Sequence, residues 1–370
     1  MPRHLVLIGG GHAHMVTLAH LRNFTQKGHR VSVIGPSPYH YYSGMGPGML
    51  GGTYTPEEIR FATRHVVEKD GGTFITDKVV RIDARQREIF LESGQRLSYD
   101  VLSCNAGSYV PQPRMTAASA DIFGVKPIEK LIDARTRILE KAGRRHISVG
   151  IVGGGPSAVE IAGNVWQLAK RHAAHMPDIA IFAASRLMKT FPDSIRKMAV
   201  RSLTRRSIQI LEHSRVNEIT DGRIRLENGH EQACDLIFLA LGVKPSQIFS
   251  RSGLPTGPDG GLRVNRYLQC VAYPEIFGGG DCIYFEDHPL DKVGVYAVRQ
   301  NPVLYHNLMA SLEDRPLEPF HHGGAYLLIF NLGGRRGILH KSGMTFGGWP
   351  AFIAKDYIDR RFMRRFQAIE

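Results

Sequence analysis

The chain opens on an apolar run, His4-Leu5-Val6-Leu7-Ile8, that stops at Gly9-Gly10-Gly11. A short continuous apolar run bounded by glycines predicts a buried strand. Met15, Leu18 and Ala19 then recur at helical spacing and predict a helix from about His12 to Lys27. Gly28 supplies the stop, where a left-handed residue closes a helix. Arg30–Ile34 is a second apolar run, and it completes a strand–helix–strand unit.

The same pattern returns later. Ile147–Val152 reads as a strand, Gly153-Gly154-Gly155 follows, a helix runs from Pro156 to about Arg171, and Asp178–Phe182 is the next strand. Pro156 suits the first helical turn, where its missing N–H has no partner to lose. Thr73–Arg81 matches Ile208–Asn217 as a strand leading into a basic, polar turn. Arg87–Gly94 matches Arg223–Gly229, and Tyr99–Gly107 matches Cys234–Gly242, so that Asp100 pairs with Asp235 and Gly107 with Gly242. A repeat of this length and order indicates a duplicated unit. The expected fold class is α/β: two Rossmann-like dinucleotide-binding domains, each with a small antiparallel meander, plus a C-terminal α+β extension. The expected boundaries are 1–115 with 255–312, 116–254, and 313–370.

Composition narrows the function classes. The 370 residues are 43% hydrophobic and 22% charged, as in ordinary globular proteins. No apolar run approaches the ~18 residues of a membrane span. The first apolar stretch meets glycines and histidines too early for a signal peptide, so a cytoplasmic protein is expected. The net charge of +13 favours an anionic partner: a lipid surface, nucleic acid or a phosphate-rich cofactor. No nucleic-acid-binding motif accompanies it. Cys104, Cys234, Cys270 and Cys282 form no close pair, which leaves a disulfide centre or a cysteine metal site without support. His12 and His14 lack a third ligand, so no metal is expected.

Gly9-x-Gly11-x-x-His14 sits between strand and helix, where a phosphate loop belongs. The first glycine turns the chain, and the second lets the backbone approach a pyrophosphate at the helix N-terminus. His14 stands where glycine or alanine is usual. Gly35 and Pro36 stand where an acid would hold a ribose. Gly153-x-Gly155-x-x-Ala158 fits the pattern fully, but Ala183-Ala184-Ser185-Arg186 again lacks the acid. Ser185 and Arg186, with Lys189, are candidates for a 2′-phosphate; the alternative for Arg186 is a solvated base. Glu160 either complements the helix dipole or points to where nicotinamide meets a second cofactor. Ile276-Phe277-Gly278-Gly279-Gly280-Asp281 is a strand ending in a carboxylate suited to sugar-alcohol hydroxyls. Tyr39, Tyr41 and Tyr42 either pack a loop or wall a cofactor.

With these motifs in place, the chain resembles the two-dinucleotide-domain flavoproteins of the pyridine nucleotide–disulfide reductase superfamily. The likeness is to the disulfide-free branch, with type II NADH dehydrogenases and sulfide:quinone oxidoreductases. It rests on Gly9–His14, Asn105–Ser108, Gly153–Gly163, Leu241–Pro245 and Gly279–Cys282. Pro36–Thr55 and Pro289–Leu308 are similar to the flavoprotein found fused to selenide, water dikinase, a group that tolerates the changes at His14 and Gly35. The resemblance covers about the first 310 residues.

The resemblance implies FAD on the first loop, with Asp281 at the ribityl chain, and NAD(P)H on the second. Residues 1–115 and 255–312 become the FAD domain and 116–254 the NAD(P) domain. The candidate cofactor-binding residues are Gly9, Gly11, His12, Pro36, Ser43, Val79, Ala106, Gly107, Gly153, Gly155, Pro156, Ser157, Ser185, Arg186, Gly242, Gly280, Asp281 and Ala297. Ala297-Val298-Arg299-Gln300 is similar to the Ala-x-x-Gln that contributes to the quinone site of type II dehydrogenases. Glu160 and Gln300 are the candidate catalytic residues, Gln300 toward the acceptor's oxygen. A helix starting near Gly294 would aim its N-terminus at the flavin.

The expected activity is an FAD-dependent NAD(P)H oxidoreductase that passes hydride to FAD and electrons to a small acceptor, a quinone among the candidates. The alternatives are a sulfide- or selenide-linked flavoprotein and a non-catalytic redox sensor. In the tail, Trp349, Phe352, Ile353, Met363 and Phe366 share one face of a helix over 349–366. That face suits an anionic membrane surface, with Arg361, Arg364 and Arg365 at the head groups, or else domain packing or a homodimer.

Overall fold

The apolar runs become the central strands of two parallel sheets. The computed structural model describes residues 1–115, 121–220 and 222–370; the expected start of the second unit, at residue 116, lies outside them. The first sheet has the order Ile276–Gly278, Val101–Cys104, His4–Ile8, Arg30–Gly35, Thr73–Thr76. The second has the order Ile122–Gly124, Leu236–Leu239, Ser148–Val152, Asp178–Phe182, Gln209–Leu211. All neighbours in both sheets are parallel. Strands covered on both faces must be apolar throughout, which is why they read as unbroken hydrophobic runs. Each sheet carries an antiparallel meander: Val79–Asp83, Glu88–Leu91 and Arg96–Ser98 in the first half, Val216–Thr220, Arg223–Leu226 and Glu231–Ala233 in the second. The fold class is the one expected.

The repeat holds at the level of single hydrogen bonds. Asp100 accepts from the His4 backbone N–H at 2.6 Å, and Asp235 accepts from the Ser148 N–H at 2.8 Å. Gly9 N–H donates to Ile34 O at 2.8 Å, and Gly153 N–H to Phe182 O at 3.0 Å. Each aspartate thus caps the start of its half's central strand, and each glycine ties that strand's end to its neighbour.

The first helix differs from expectation. A 3-10 turn, His12–His14, precedes helix Met15–Ala19, and a break at His20 separates it from helix Leu21–Thr25. The 3-10 start has a visible cause. A regular helix would join Val16 N–H to His12 O; here Asn301 sits between them. Its Oδ1 accepts from Val16 N–H and its Nδ2 donates to His12 O, both at 2.7 Å. A side chain inserted into the helical ladder is a recognised cause of such irregularity.

The C-terminal unit is a three-stranded antiparallel sheet, Leu328–Asn331, Gly337–Lys341 and Met344–Gly348, followed by helix Trp349–Gln367. It docks on helix Pro156–His172, where a Cβ on Gly163 would lie 2.0 Å from Leu332 O. The tail's apolar face is not intact as expected. Phe352, Met363 and Phe366 are buried against the body, while Trp349 and Ile353 are 60% and 43% exposed. Lys355 and Asp359 occupy the middle of the buried face, joined at 2.7 Å. The ion pair lets the helix bury a wider stripe than its apolar residues mark out. Among the described residues, no helix is long and apolar enough to cross a membrane.

Candidate active site

Both glycine loops, the strand ends beside them and the C-terminal unit face one cleft of about 1710 Å³. Every candidate cofactor-binding residue from the sequence lines it, as do Glu160, Tyr39 and Tyr41, whereas Gln300 and Tyr42 do not. Helix Pro156–His172 begins at Gly155 with no side-chain cap, so its first N–H groups are open to the cleft. Helix Gly294–Leu312 likewise starts uncapped at the cleft wall, with Ala297 on its first turn. A Cβ on Gly107, Gly155, Gly242 or Gly294 would meet nothing within 4 Å, so the cradle is open at all four. His12 Nε2 and Asn105 Nδ2 are buried without a partner. Open helix termini, bare glycines and unpaired polar atoms fit two dinucleotides, one per half.

His14 explains how the first loop departs from the usual fingerprint. Its Nδ1 lies 2.6 Å from Gly9 O and its Nε2 2.8 Å from Ser103 Oγ. Because a carbonyl only accepts, Nδ1 carries the proton. The imidazole therefore bolts the turn to the neighbouring strand, and burial lowers its pKa to about 4. His12 faces the cleft, with Nδ1 3.2 Å from His40 Nε2 and its ring stacked on Phe362 at 5.7 Å. Burial lowers His12 to about 4 and His40 to about 3, so both are neutral at physiological pH.

Asp281 is not free. Its Oδ2 accepts from Lys126 Nζ at 2.7 Å and from Ser108 Oγ at 2.8 Å. Burial opposes its ionisation, but Lys126 and Ser108 outweigh that and hold its carboxyl below the usual range. Glu160 lines the opposite part of the cleft, and its Oε1 accepts from Asn331 N–H at 2.7 Å. Burial pushes its carboxyl up to about 7, against the pull of Lys355 and of the Asn331 N–H. Lys355 donates to Asp359 and, at 2.9 Å, to Gly44 O, while Tyr42 donates to Asp359 at 3.2 Å. Burial opposes the Lys355 charge, but Asp359 and Glu160 raise its pKa.

Gln300 requires a correction. It is 1% exposed and does not line the cleft. Its Oε1 accepts from Gly280 N–H at 2.7 Å, so it shapes the Gly-Gly-Asp turn from behind and cannot touch an acceptor from there. The four cysteines are buried and none lines the cleft. Burial pushes Cys282 to about 11 and Cys234 to about 12, which makes them poor thiolates for sulfur chemistry.

Around the second loop, Arg186, Lys189 and Arg215 all line the cleft. Nearby Glu212 is occupied by Leu187 N–H and Arg196, each at 2.7 Å. Lys126, Lys355 and Arg215 were not singled out in the sequence. The i, i+4 pairing of Lys355 with Asp359 is a signal that marks one of them; Lys126 and Arg215 carry no local signal.

Residues 3–309 match the pyridine nucleotide-disulphide oxidoreductase family. The chain belongs to that family. It is 27% identical over 299 residues to ferroptosis suppressor protein 1 of Taeniopygia guttata, covering 77% of this chain and 76% of that protein. It is 24% identical to demethylphylloquinone reductase NdbB of Synechocystis, covering 78% and 74%. The solved structure of NDH2 from Plasmodium falciparum in complex with NADH shares the fold, with a TM-score of 0.81 at 15% identity, over 99% of this chain and 97% of that one. The chain is an FAD- and NAD(P)H-dependent oxidoreductase of this family.

The Gln300 geometry makes a prediction. Gln300→Ala strands the Gly280 N–H in a buried position, at about 1–3 kcal/mol. The variant should lose flavin on gel filtration and melt earlier, while the flavin that remains is reoxidised by an added electron acceptor at the wild-type rate. Wild-type flavin retention with slowed reoxidation would restore a direct role at the acceptor.

Proposed function

We propose that the chain transfers reducing equivalents from NAD(P)H, bound at the second loop, through FAD at the first, to a quinone. The FAD unit is residues 1–115 with 255–312, the NAD(P) unit 116–254, and 313–370 the wall that closes the site. One observation carries the reading: two uncapped phosphate loops open into the same cleft, with Glu160 and Lys355 in its wall. One relative supports the acceptor class, since it is named as a demethylphylloquinone reductase. Bound FAD would supply the two-electron relay. The protein's part is position and electrostatics.

Reduction of a quinone by NAD(P)H takes up one proton beyond the hydride. Glu160 is suited to hold it, because its carboxyl is neutral below about 7 and anionic above. Lys355 is held charged beside it and would steady a developing anion. Asn331 N–H fixes one Glu160 oxygen, which leaves the other for the proton. Glu160→Gln should slow reoxidation of the reduced flavin by quinone, the half-reaction that takes up this proton, by about 10²–10⁴-fold and remove a bend in its pH profile near 7. Stopped-flow traces matching wild type across that range would make Glu160 structural.

The cations at the second loop favour NADPH. Arg186 and Arg215 are each half committed, to Asp193 and to Glu227 at 3.4 Å, and both stay more than half exposed. Glu212 is neutralised by Arg196 and so does not repel a phosphate. Arg186→Ala should lower kcat/KM for NADPH relative to NADH by roughly tenfold, the scale of one charge-assisted hydrogen bond. An unchanged ratio would remove the assignment.

The tail's remaining exposed apolar side chains form a docking face for an anionic membrane. Met344, Phe346, Trp349, Ile353 and Tyr357 are 70%, 44%, 60%, 43% and 58% exposed, and Arg361, Arg364 and Arg365 lie exposed on the same helix. The protein would then work peripherally, on the cytoplasmic face. Truncation is a poor test, because the helix is part of the core. Trp349→Asp with Ile353→Asp should abolish co-sedimentation with anionic liposomes, and added salt should weaken the wild type. Unchanged sedimentation, or conversion of a dimer to a monomer by the same variant, would assign the face to packing between copies.

A further inference from the structure

A closed ring of buried polar groups joins the C-terminal helix to the first half. Gly44 lies in the 3-10 turn Ser43–Met45 and Tyr42 directly before it. Lys355 and Asp359 stand one turn apart on helix Trp349–Gln367, with side chains 10% and 5% exposed. Asp359 Oδ2 accepts from Lys355 Nζ at 2.7 Å, Lys355 also donates to Gly44 O at 2.9 Å, and Tyr42 donates to Asp359 Oδ1 at 3.2 Å. Each carboxylate oxygen thus has its own donor, and the ammonium is held from two sides. Glu160 stands in the cleft wall with a separate donor, the Asn331 N–H. Among the described residues, Lys355 is paired with Asp359 and not with Glu160. We propose that Asp359, oriented by Tyr42, is a positioning residue that holds the Lys355 ammonium off Glu160, so that Glu160 remains free to take up a proton. This rests on the reading that Glu160 carries the proton of the second half-reaction.

Two carboxyls compete for one buried ammonium. A buried cation needs an anion, because an unpaired charge out of water is costly. Without Asp359 that anion would be Glu160, and a Glu160–Lys355 ion pair would fix the carboxyl in its charged form. Asp359 wins for two reasons. It stands four residues from Lys355 on the same helix, where side chains meet. Its second oxygen is pinned by Tyr42, whose pKa burial and Asp359 raise, so that the hydroxyl keeps the proton it donates. Asp359 does not line the cleft, so it acts through Lys355 and not on a substrate. The charges acting on Glu160 both come from the tail helix, Lys355 lowering its pKa and Asp359 raising it, while strand Leu328–Asn331 adds the Asn331 N–H. Asp356 repels Asp359, but it is itself held by Tyr54 at 2.9 Å and Arg360 at 3.0 Å. Loss of Asp359 therefore acts on Glu160 with one sign. The repulsion disappears and the ammonium turns toward Glu160, and both changes favour the carboxylate.

The test is an infrared pH titration of the oxidised holoprotein, following the protonated-carboxyl stretch that disappears in Glu160→Gln. The wild-type midpoint is expected at about 7. Asp359→Asn should move it down by about 1–3 pH units, the usual effect of a cation brought against a carboxylate. Asp359→Glu keeps the anion and should return the midpoint most of the way. In a Lys355→Met background, Asp359→Asn should move it much less, because the cation through which it acts is gone. Tyr42→Phe keeps every charge and releases one Asp359 oxygen; it should move the midpoint the same way by a smaller step, and it carries the test if Asp359→Asn does not fold. Wild-type midpoints in the Asp359→Asn and Tyr42→Phe proteins would overturn the proposal, and with an earlier melt they would make the ring a docking strap. An equal shift with and without Lys355 would overturn it too. A carboxyl band titrating near 7 that survives in Glu160→Gln would instead overturn the reading of Glu160 on which the proposal stands.

Discussion

The molecule depends on one contact made twice: a glycine pressed against the carbonyl of the neighbouring strand's end. Gly9 has φ +83°, and a Cβ there would lie 2.4 Å from Asn105 O. Gly153 has φ +143°, and a Cβ there would lie 2.2 Å from Ala240 O. No side chain fits at either point, and an L residue would also be strained by the backbone conformation. The two strands can close only around glycine, and that closure aims the following helix's N-terminus into the cleft. Helix termini, open cradle and the unpaired His12 and Asn105 atoms all follow from this approach. A loop one atom wider would leave the same residues on the page and no phosphate site between them.

The two halves solve the next problem differently. In the second, Pro156 and Ala158 start a regular helix directly from the loop. In the first, the histidines crowd the turn, and two side chains repair it. His14 bonds back to Gly9 O, and Asn301 takes over the hydrogen bond that the 3-10 turn gives up. Asn301 comes from helix Gly294–Leu312, which also brings Ala297 to the cleft and Gln300 to the back of the Gly280 turn. One helix therefore braces both the first glycine loop and the Gly-Gly-Asp turn of the first half. This explains why Gln300 is buried: the same short segment must face the cleft with one residue and brace its wall with the next.

Much of the fold was legible because its signals are local. Apolar runs ending in glycines, and the recurrence of Asp100 as Asp235, specify strand, loop and repeat without tertiary context. The glycine loops and the Gly-Gly-Asp turn were legible for the same reason. The irregular start of the first helix was not, since its cause lies almost 300 residues away in Asn301. Gln300 was misplaced because spacing says which residue is near a site, not which way its side chain turns. Lys126 carried no signal at all, since its partner stands on another strand of another sheet. The extent of the tail's buried face was not legible, because periodicity counts only apolar positions and Lys355 with Asp359 fills the centre of the stripe.

That buried pair bears on what the C-terminal unit is for. Removing two charges from water costs several kcal/mol per ion, and apolar replacements of the same volume are often as stable or more so. Stability alone gives little reason to place Lys355 and Asp359, 10% and 5% exposed, inside a helix face that could have been leucine. Their surroundings give a better one. Lys355 lines the cleft, donates to Gly44 O on the first half and interacts with Glu160 on the second, while Asp359 takes the hydroxyl of Tyr42. The tail thus brings a fixed charge to a place where both halves and the cleft meet. A nonpolar helix would close the wall equally well, but it would leave Glu160 buried without a cation nearby. With Lys355 present, attraction offsets part of the cost of burial, and the carboxyl settles at about 7, where it can both hold and release a proton.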